Sequence, residues 1–347
     1  MNDNDSSSDR TRYKRSPFLL LSWDTQGHLI LTECNNFRQF RVSGAILTVL
    51  NSLSHPQTLD DLTQDTPPYP RSIFARVLDR LSAVNIVLDD KAGEQTKAPL
   101  LSVFELAMQR QTAYGGGREE GQNEGPAPLA FKQPDSQDVI HLPQGGWHES
   151  GRTLSDVLDT RTSIRTYSNE GMSLSELAQF LYKSARVRRV IGPPENQRSS
   201  RPYPGGGARH TLELYLLCEN VRGVTRGVYY YHPLQHALYL IKRPGDQYTE
   251  ILRRVRANAG GLLNRDPCVI IHITSVFGRM TWKYNLLSLA TIYRDVGALY
   301  QTMYLVATDM GLAPCAIAGI QDIANAAWLG LDPLEEAQIG CFILGKM

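Results

Sequence analysis

Apolar residues follow two different patterns along this 347-residue chain, short half-buried runs at the start and longer, denser ones later. Residues 18–32 form two β-rich runs about an Asp24-Thr25-Gln26-Gly27 turn, which predicts a hairpin. Helical spacing follows at residues 42–53. Thr58 is placed to cap a short helix over residues 59–64, and residues 72–85 set Ile73, Val77, Leu78 and Leu81 on one helical face. The run from Ile86 to Asp90 closes this region as a strand. After a polar, disordered lead at residues 1–16, this gives a small winged-helix-like domain over residues 17–92.

The span 93–149 reads differently. One more helix fits residues 100–111, after which Gly115, Gly116 and Gly117 open a stretch to Pro128 with little to bury, the composition of a flexible linker. Order resumes near Trp147. Residues 153–160 predict a short helix, and Ser173 with Glu176 three residues on forms a capping box for a helix over 173–185. Residues 186–209 read as irregular and rich in Pro, Gly and Arg. Strands follow at 211–219, 227–232 and 237–241, then a helix at 247–258. The β-branched run 267–277 predicts an interior strand covered on both faces. Residues 286–310 are apolar almost all round, with Arg294, Asp295 and Asp309 as their charges, so this helix is expected to be buried on most faces and is too charged to span a membrane. A helix at 323–329 and a strand at 337–344 complete a sheet flanked by helices, an α+β arrangement over residues 150–347.

Charge narrows the possible partners. Thirty-six Lys and Arg against thirty-five Asp and Glu leave no footprint for nucleic acid or an anionic membrane. Cys34, Cys218, Cys268, Cys315 and Cys341 form no CxxC pair and are expected to be reduced and mostly buried. The polar amino terminus lacks a signal-peptide core, so a cytoplasmic location is expected.

Three stretches carry candidate chemistry. Arg161, Ser163 and Arg165 alternate, so an extended backbone points all three one way, as a phosphate site would need; a surface pair bridged to Asp156 or Asp159 is the plainer reading. Pro204, Gly205 and Gly206 open a run in which backbone can approach a flat ring or a phosphate, although an isolated Gly run is more often a turn. Lys283 and Tyr284 sit at the mouth of the long helix. Burial there disfavours a charged ammonium and lets a neighbouring phenol pass or accept a proton, against the alternative of a snorkelling lysine and an interface tyrosine. His232 and His236 flank a turn and are expected to be solvated. Gly340 to Lys346 spells GxxxxGK, but no Ser or Thr follows, so it is not a P-loop. No metal-binding spacing is present.

Taken in order, RTSIRTY, PGGGARHTLELYL, GVYYYHP, WKY with its long helix, and GLAPCAIAGI resemble the SagB-type dehydrogenases of the FMN-dependent nitroreductase superfamily, over about residues 150–347. The resemblance implies a nitroreductase-like FMN-binding sheet and an intertwined homodimer with FMN at its interface. Arg161, Ser163 and Arg165 would match the positions that hold the FMN phosphate and ribityl chain, with Thr162 where an arginine is frequent. Pro204 and Gly205 match a Pro-Ser pair beside the ring, Gly205 losing a hydroxyl, and Gly206 continues that loop. Ala318 and Gly319 match the loop along the ring, and Lys346 a basic position near the phosphate. Lys283 and Tyr284 match the Lys-Tyr pair of azoline-oxidising members.

These matches imply FMN-dependent oxidation of thiazoline or oxazoline rings to thiazole or oxazole in a ribosomally made peptide, with a cyclodehydratase as possible partner. The alternatives are a flavin oxidase for a carrier-bound nonribosomal peptide, a nitroreductase-like NAD(P)H enzyme, and a non-catalytic peptide-binding scaffold. The amino-terminal region is similar in pattern to winged-helix peptide-recognition domains, in which a leader segment adds a strand to the sheet.

Overall fold

The computed structural model describes residues 11–64, 70–89, 100–114, 126–284, 287–318 and 323–347. The chain divides into two compact units, Met1–Gly117 and Arg118–Met347.

In the first unit the lead is not wholly disordered. Strand β1 (Arg12–Arg15) pairs on both sides, with β5 (Gln57–Thr58) and β6 (Val87–Asp89). Its partners lie some forty to eighty residues away, which local composition does not reveal. Strands β2 (Leu19–Trp23), β3 (Leu29–Glu33) and β4 (Arg38–Arg41) form an antiparallel meander. The first turn closes because Asp24 Oδ1 accepts the Gln26 and His28 amides at 2.9 and 2.8 Å, while Gly27 takes a φ of 80°. Helices α1 (Gly44–Ser52), α2 (Leu59–Gln64) and α3 (Arg71–Ala83) pack on this frame, and α4 (Val103–Tyr114) follows. Thr58 and Asp61 cap α2 reciprocally. The buried face of α3 is Phe74, Leu78 and Leu81; Ile73, expected there, is exposed. Spacing i, i+4, i+7 from Phe74 wins because Phe74 is the larger apolar group. The predicted glycine linker largely falls at residues 115–125, outside the described residues.

The second unit is built on a seven-stranded sheet in the order β16-β17-β15-β11-β13-β14-β7. Its strands are β7 (Val139–His141), β11 (Leu212–Cys218), β13 (Gly227–His232), β14 (Ala237–Lys242), β15 (Val269–Val276), β16 (Leu312–Ile317) and β17 (Glu336–Lys346). Every neighbouring pair is antiparallel. Short strands β8 (Met172–Ser173), β9 (Arg189–Ile191), β10 (Arg198–Ser200) and β12 (Val221–Arg222) pair outside it, β9 with β10 and β8 with β12. Alternation sorts side chains to two cores: on β11, Leu212, Leu214 and Leu216 face one way, Tyr215 and Leu217 the other.

The first core is covered by α6 (Leu174–Ala185) and α9 (Ser288–Asp309), the second by α7 (Asp246–Asn258) and α10 (Ile323–Leu329). Two short helices complete the unit, α5 (Leu154–Thr160) and α8 (Phe277–Thr281). The capping box expected at α6 is present, with Glu176 N–H donating to Ser173 Oγ at 3.1 Å and Ser173 N–H to Glu176 Oε2 at 2.7 Å. Strand β15 lies inside the sheet, as its β-branched run predicts. Among the described residues no helix is long and apolar enough to cross a membrane, and all five cysteines are free and buried.

Two expectations for this unit change. The 186–209 segment contains the β9–β10 hairpin, which turns at Gly192 with φ 85°. His232 and His236 are each 2% exposed: His236 bonds the Tyr231 hydroxyl at 2.8 Å and the Pro143 carbonyl at 3.1 Å, because the distant 143–147 segment covers the turn. Helix α9 is buried on most faces, as its pattern predicts, and leaves Leu289 and Tyr293 exposed on the remaining one.

Candidate active site

The first cluster forms at the glycine turn. Gly205, Gly206 and Gly207 lead into Ala208 and His210, and Gly207, Ala208 and His210 have φ of 59°, 59° and 43°. Left-handed backbone at Ala208 and His210 costs roughly 1–3 kcal/mol per residue, so the surroundings must hold it. They do so through α9: the Gly206 amide donates to Asp295 Oδ1 at 3.0 Å and Oδ2 at 3.1 Å. A Cβ at Gly206 would overlap Thr291 Cγ2.

On the other side stand the two titratable residues picked out by the sequence. A Cβ built at Gly207 would lie 2.7 Å from the Tyr284 hydroxyl and 2.8 Å from Lys283 Nζ, so both heads close on this one glycine. Lys283 Nζ lies 4.9 Å from the centre of the Tyr284 ring. Pro204 is exposed at the edge of the turn.

A buried ion pair fixes the floor. Arg279 on α8 places Nη1 2.5 Å from Glu213 Oε1, both residues almost fully buried. The Tyr230 hydroxyl donates to Glu213 Oε2 at 2.9 Å, and Arg279 Nε donates to the Leu129 carbonyl at 2.7 Å. Since α8 leads directly into Lys283, this pair anchors the approach to the site. Burial pushes the Asp295 carboxyl up to about 6, with the Gly206 amide opposing it. His210 is driven down to about 3 by burial and then by the charges of Arg201, Arg188 and Arg279, so its ring is neutral.

The second cluster holds the alternating arginines. The Ile164 amide bonds the Pro314 carbonyl of β16 at 2.8 Å, extending the segment. Ser163 Oγ then reaches the Tyr304 hydroxyl at 2.7 Å, Arg161 lies 5.4 Å from the Tyr304 ring centre, and Arg165 lies beside the Cys315 thiol. The Tyr304 hydroxyl also accepts the Ala316 amide at 2.7 Å. Asp156 is occupied by its Thr153 cap, and neither arginine has a carboxylate partner among the described residues. Lys346 is engaged elsewhere, its Nζ 2.5 Å from Glu176 Oε1. Ala318 is exposed just beyond β16; Gly319 lies outside the described residues.

Helix α9 carries one residue of each cluster, Asp295 and Tyr304. Nine residues of α-helix amount to about 13 Å of rise and about two and a half turns, a net offset of half a turn, so one chain presents the two clusters on opposite sides of the helix. Sequence reading overlooked Asp295, Glu213 and Arg279 as site residues. Each had a signal, being a charge inside an otherwise apolar or strand-forming run. Among the described residues no cluster could hold a metal ion.

Comparison with known proteins follows the second unit. The sequence pattern of the Nitroreductase family matches residues 158–346, more than half of the chain. A protein of Methanocaldococcus jannaschii named as a nitroreductase, MJ1384, is 29% identical over 169 residues, covering 49% of this chain and 80% of that protein. The microcin B17-processing protein McbC of Escherichia coli is 29% identical over 41% of this chain and 53% of its own length. The trifolitoxin-processing protein TfxB of Rhizobium leguminosarum bv. trifolii is 25% identical over 48% of this chain and 44% of its own length. The chain thus spans about half the length of these two processing proteins. A solved nitroreductase-type structure from Ralstonia eutropha JMP134 overlays with a TM-score of 0.49 at 19% identity, covering 64% of this chain and 96% of that one.

Proposed function

Because the chain belongs to the nitroreductase family, and is on that ground an oxidoreductase, we propose that it oxidises thiazoline or oxazoline rings of a ribosomally made peptide to thiazole or oxazole, with FMN as its cofactor. The observation that carries this reading is the convergence of Lys283 and Tyr284 on Gly207. Two relatives named for processing microcin B17 and trifolitoxin favour a peptide substrate.

The residues present fit a flavin phosphate and a flat ring. Arg161 and Arg165 offer guanidiniums without carboxylate partners, beside the hydroxyl of Ser163, which suits a phosphate and a polyol chain. Gly205 and Gly206 lack side chains because His210 and Thr291 fill that space, which leaves bare backbone for a flat ring to approach from the other face. The Gly206 amide is already given to Asp295, so this residue contributes close packing on α9 rather than a hydrogen bond to the ring. Lys346 would join the phosphate only by sharing its ammonium with Glu176. Ala318 and Gly319 are assigned to the ring on resemblance. The half-turn between the two clusters supports a homodimer, in which each cofactor draws on both through different chains. Exposed Leu154 and Leu158 on α5, with Leu289 and Tyr293 on α9, are the apolar surface such a pairing would bury.

When bound, the flavin supplies a two-electron acceptor. Aromatising an azoline removes one proton and one hydride equivalent. Lys283 Nζ and the Tyr284 hydroxyl are the groups placed to take the proton from the ring carbon, and the α8 turn behind the Arg279–Glu213 pair keeps them on the glycine surface. Peptide delivery is assigned to the first unit, where a groove of about 580 Å³ lies between β2 and α1, lined by Leu19, Leu21, Leu47 and Leu50. A leader strand would add at the β2 edge.

The test is the visible spectrum of the purified protein with its released cofactor identified by mass, then turnover of an azoline peptide. Lys283→Ala and Tyr284→Phe should keep the flavin and slow azole formation by about 10²–10⁴-fold; full activity in both would end this assignment. The likeness to MJ1384 supports a second reading, a nicotinamide-dependent reductase. Rapid bleaching by NADPH without peptide would favour it.

A further inference from the structure

The arginine-rich stretch between α6 and the glycine turn has no part in the chemistry above. The β9–β10 hairpin and the turn bring the guanidiniums of Arg198 and Arg209 to one place. Arg209 is 5% exposed, lies 4.3 Å from the Trp282 ring centre and donates through Nη2 to Asn196 Oδ1 at 2.7 Å. Its Nε is buried without a partner, and so is the Nε of Arg198 on β10. Burial lowers the Arg209 pKa, and the Arg198 charge lowers it further, so the two cations feel each other. A Cβ built at Gly192 would lie 2.8 Å from the Asn196 carbonyl oxygen and 3.7 Å from Arg198 Nη2, so the Arg198 guanidinium stands at the same hairpin turn as the Asn196 that Arg209 bonds.

No carboxylate pairs with Arg198 or Arg209 among the described residues. Glu213 is committed to Arg279 and Tyr230, and Asp295 to the Gly206 amide. Gathering cations out of water without a counter-charge is unfavourable, and planar guanidiniums with free N–H groups match a carboxylate. The cluster also adjoins the proton-transfer pair. Trp282 under Arg209 directly precedes Lys283, and the Tyr284 phenol lies close enough to Arg209 to act on it.

We propose that Arg198 and Arg209 form a carboxylate-binding subsite that recognises an acidic side chain flanking the reacting ring of the peptide. This rests on the peptide reading above. It makes substrate choice depend on charge next to the ring as well as on the ring itself.

Two labelled thiazoline peptides, identical except for Glu or Gln on either side of the ring, test it by fluorescence anisotropy on the full chain with its flavin. The Glu peptide should bind about tenfold tighter or more, an advantage that high salt erodes. Arg198→Gln should abolish the preference and Arg198→Lys retain part of it. Should Arg198→Gln fail to fold, Arg198→Lys, which keeps the charge and loses the guanidinium fork, should still narrow the gap. Equal affinity of the two peptides for the wild type, or a preference unchanged in the foldable variants, overturns the subsite. Binding preference without azole formation refutes the oxidation reading and upholds the subsite, whereas azole formation without preference does the reverse.

Discussion

Gly207→Ala probes the proposed site without replacing either proton-transfer residue. The added methyl has two effects that the geometry separates. Gly207 sits at φ 59°, where an L-residue loses roughly 1–2 kcal/mol. Its Cβ would then stand 2.7 and 2.8 Å from the Tyr284 hydroxyl and Lys283 Nζ, against about 3.4 Å for ordinary contact, so both heads must retreat by about 0.7 Å. Misplacing reacting groups by about 1 Å costs on the order of 10²-fold in rate. The expected variant folds, keeps its flavin, melts somewhat lower and forms azoles about 10- to 100-fold more slowly, with the loss in kcat. Single-turnover kinetics on an azoline peptide, beside flavin content and a thermal melt, measure each part. Wild-type kcat in a folded Gly207→Ala would show that these heads do not act at the glycine surface. Gly44→Ala at the exposed start of α1, where a Cβ meets nothing within 4 Å, is the matched control and should leave kcat unchanged.

Asp295 titrates near 6 in the fold against an ordinary 3.8, so the folded protein holds the extra proton between those values and its stability falls as pH rises through that window. Asp295→Asn, which can still accept the Gly206 amide, should therefore gain about 2–3 kcal/mol over the wild type at neutral pH and little at pH about 4, read from denaturant melts at both pH values; an equal effect at both would remove burial of the charge as the cause. Glu213→Gln leaves Arg279 buried and unpaired and should cost about 3–5 kcal/mol, lowering the urea midpoint, with a loss below about 1 kcal/mol counting against the pair as the floor of the site. Arg161→Gln should weaken FMN binding about tenfold or more by flavin-fluorescence titration; unchanged affinity would move the phosphate elsewhere.

The arrangement of helices and strands was largely legible in the chain because short-range patterns set it. The β-branched run at Val269–Val276, the capping box at Ser173 and Glu176, and the apolar helix ending at Asp309 each state their own structure. Alternation at Arg161, Ser163 and Arg165 likewise foretold that the three meet, since an extended segment leaves them one face; Tyr304 and Cys315 supply the place. Lys283 and Tyr284 were visible as adjacent titratable groups, but nothing local said what they face.

Only the tertiary structure decided the rest. Asp295 and Gly206 are 89 positions apart in sequence, and Glu213 and Arg279 are 66 apart; a hydrogen bond between such residues depends on how the sheet and α9 pack. Burial of His232 and His236, and pairing of β1 with strands far along the chain, have the same origin. A sequence records which residues can be apolar, charged or strained. Which distant groups share a volume, and so whether a carboxylate is solvated or carries a raised pKa, is settled by packing alone.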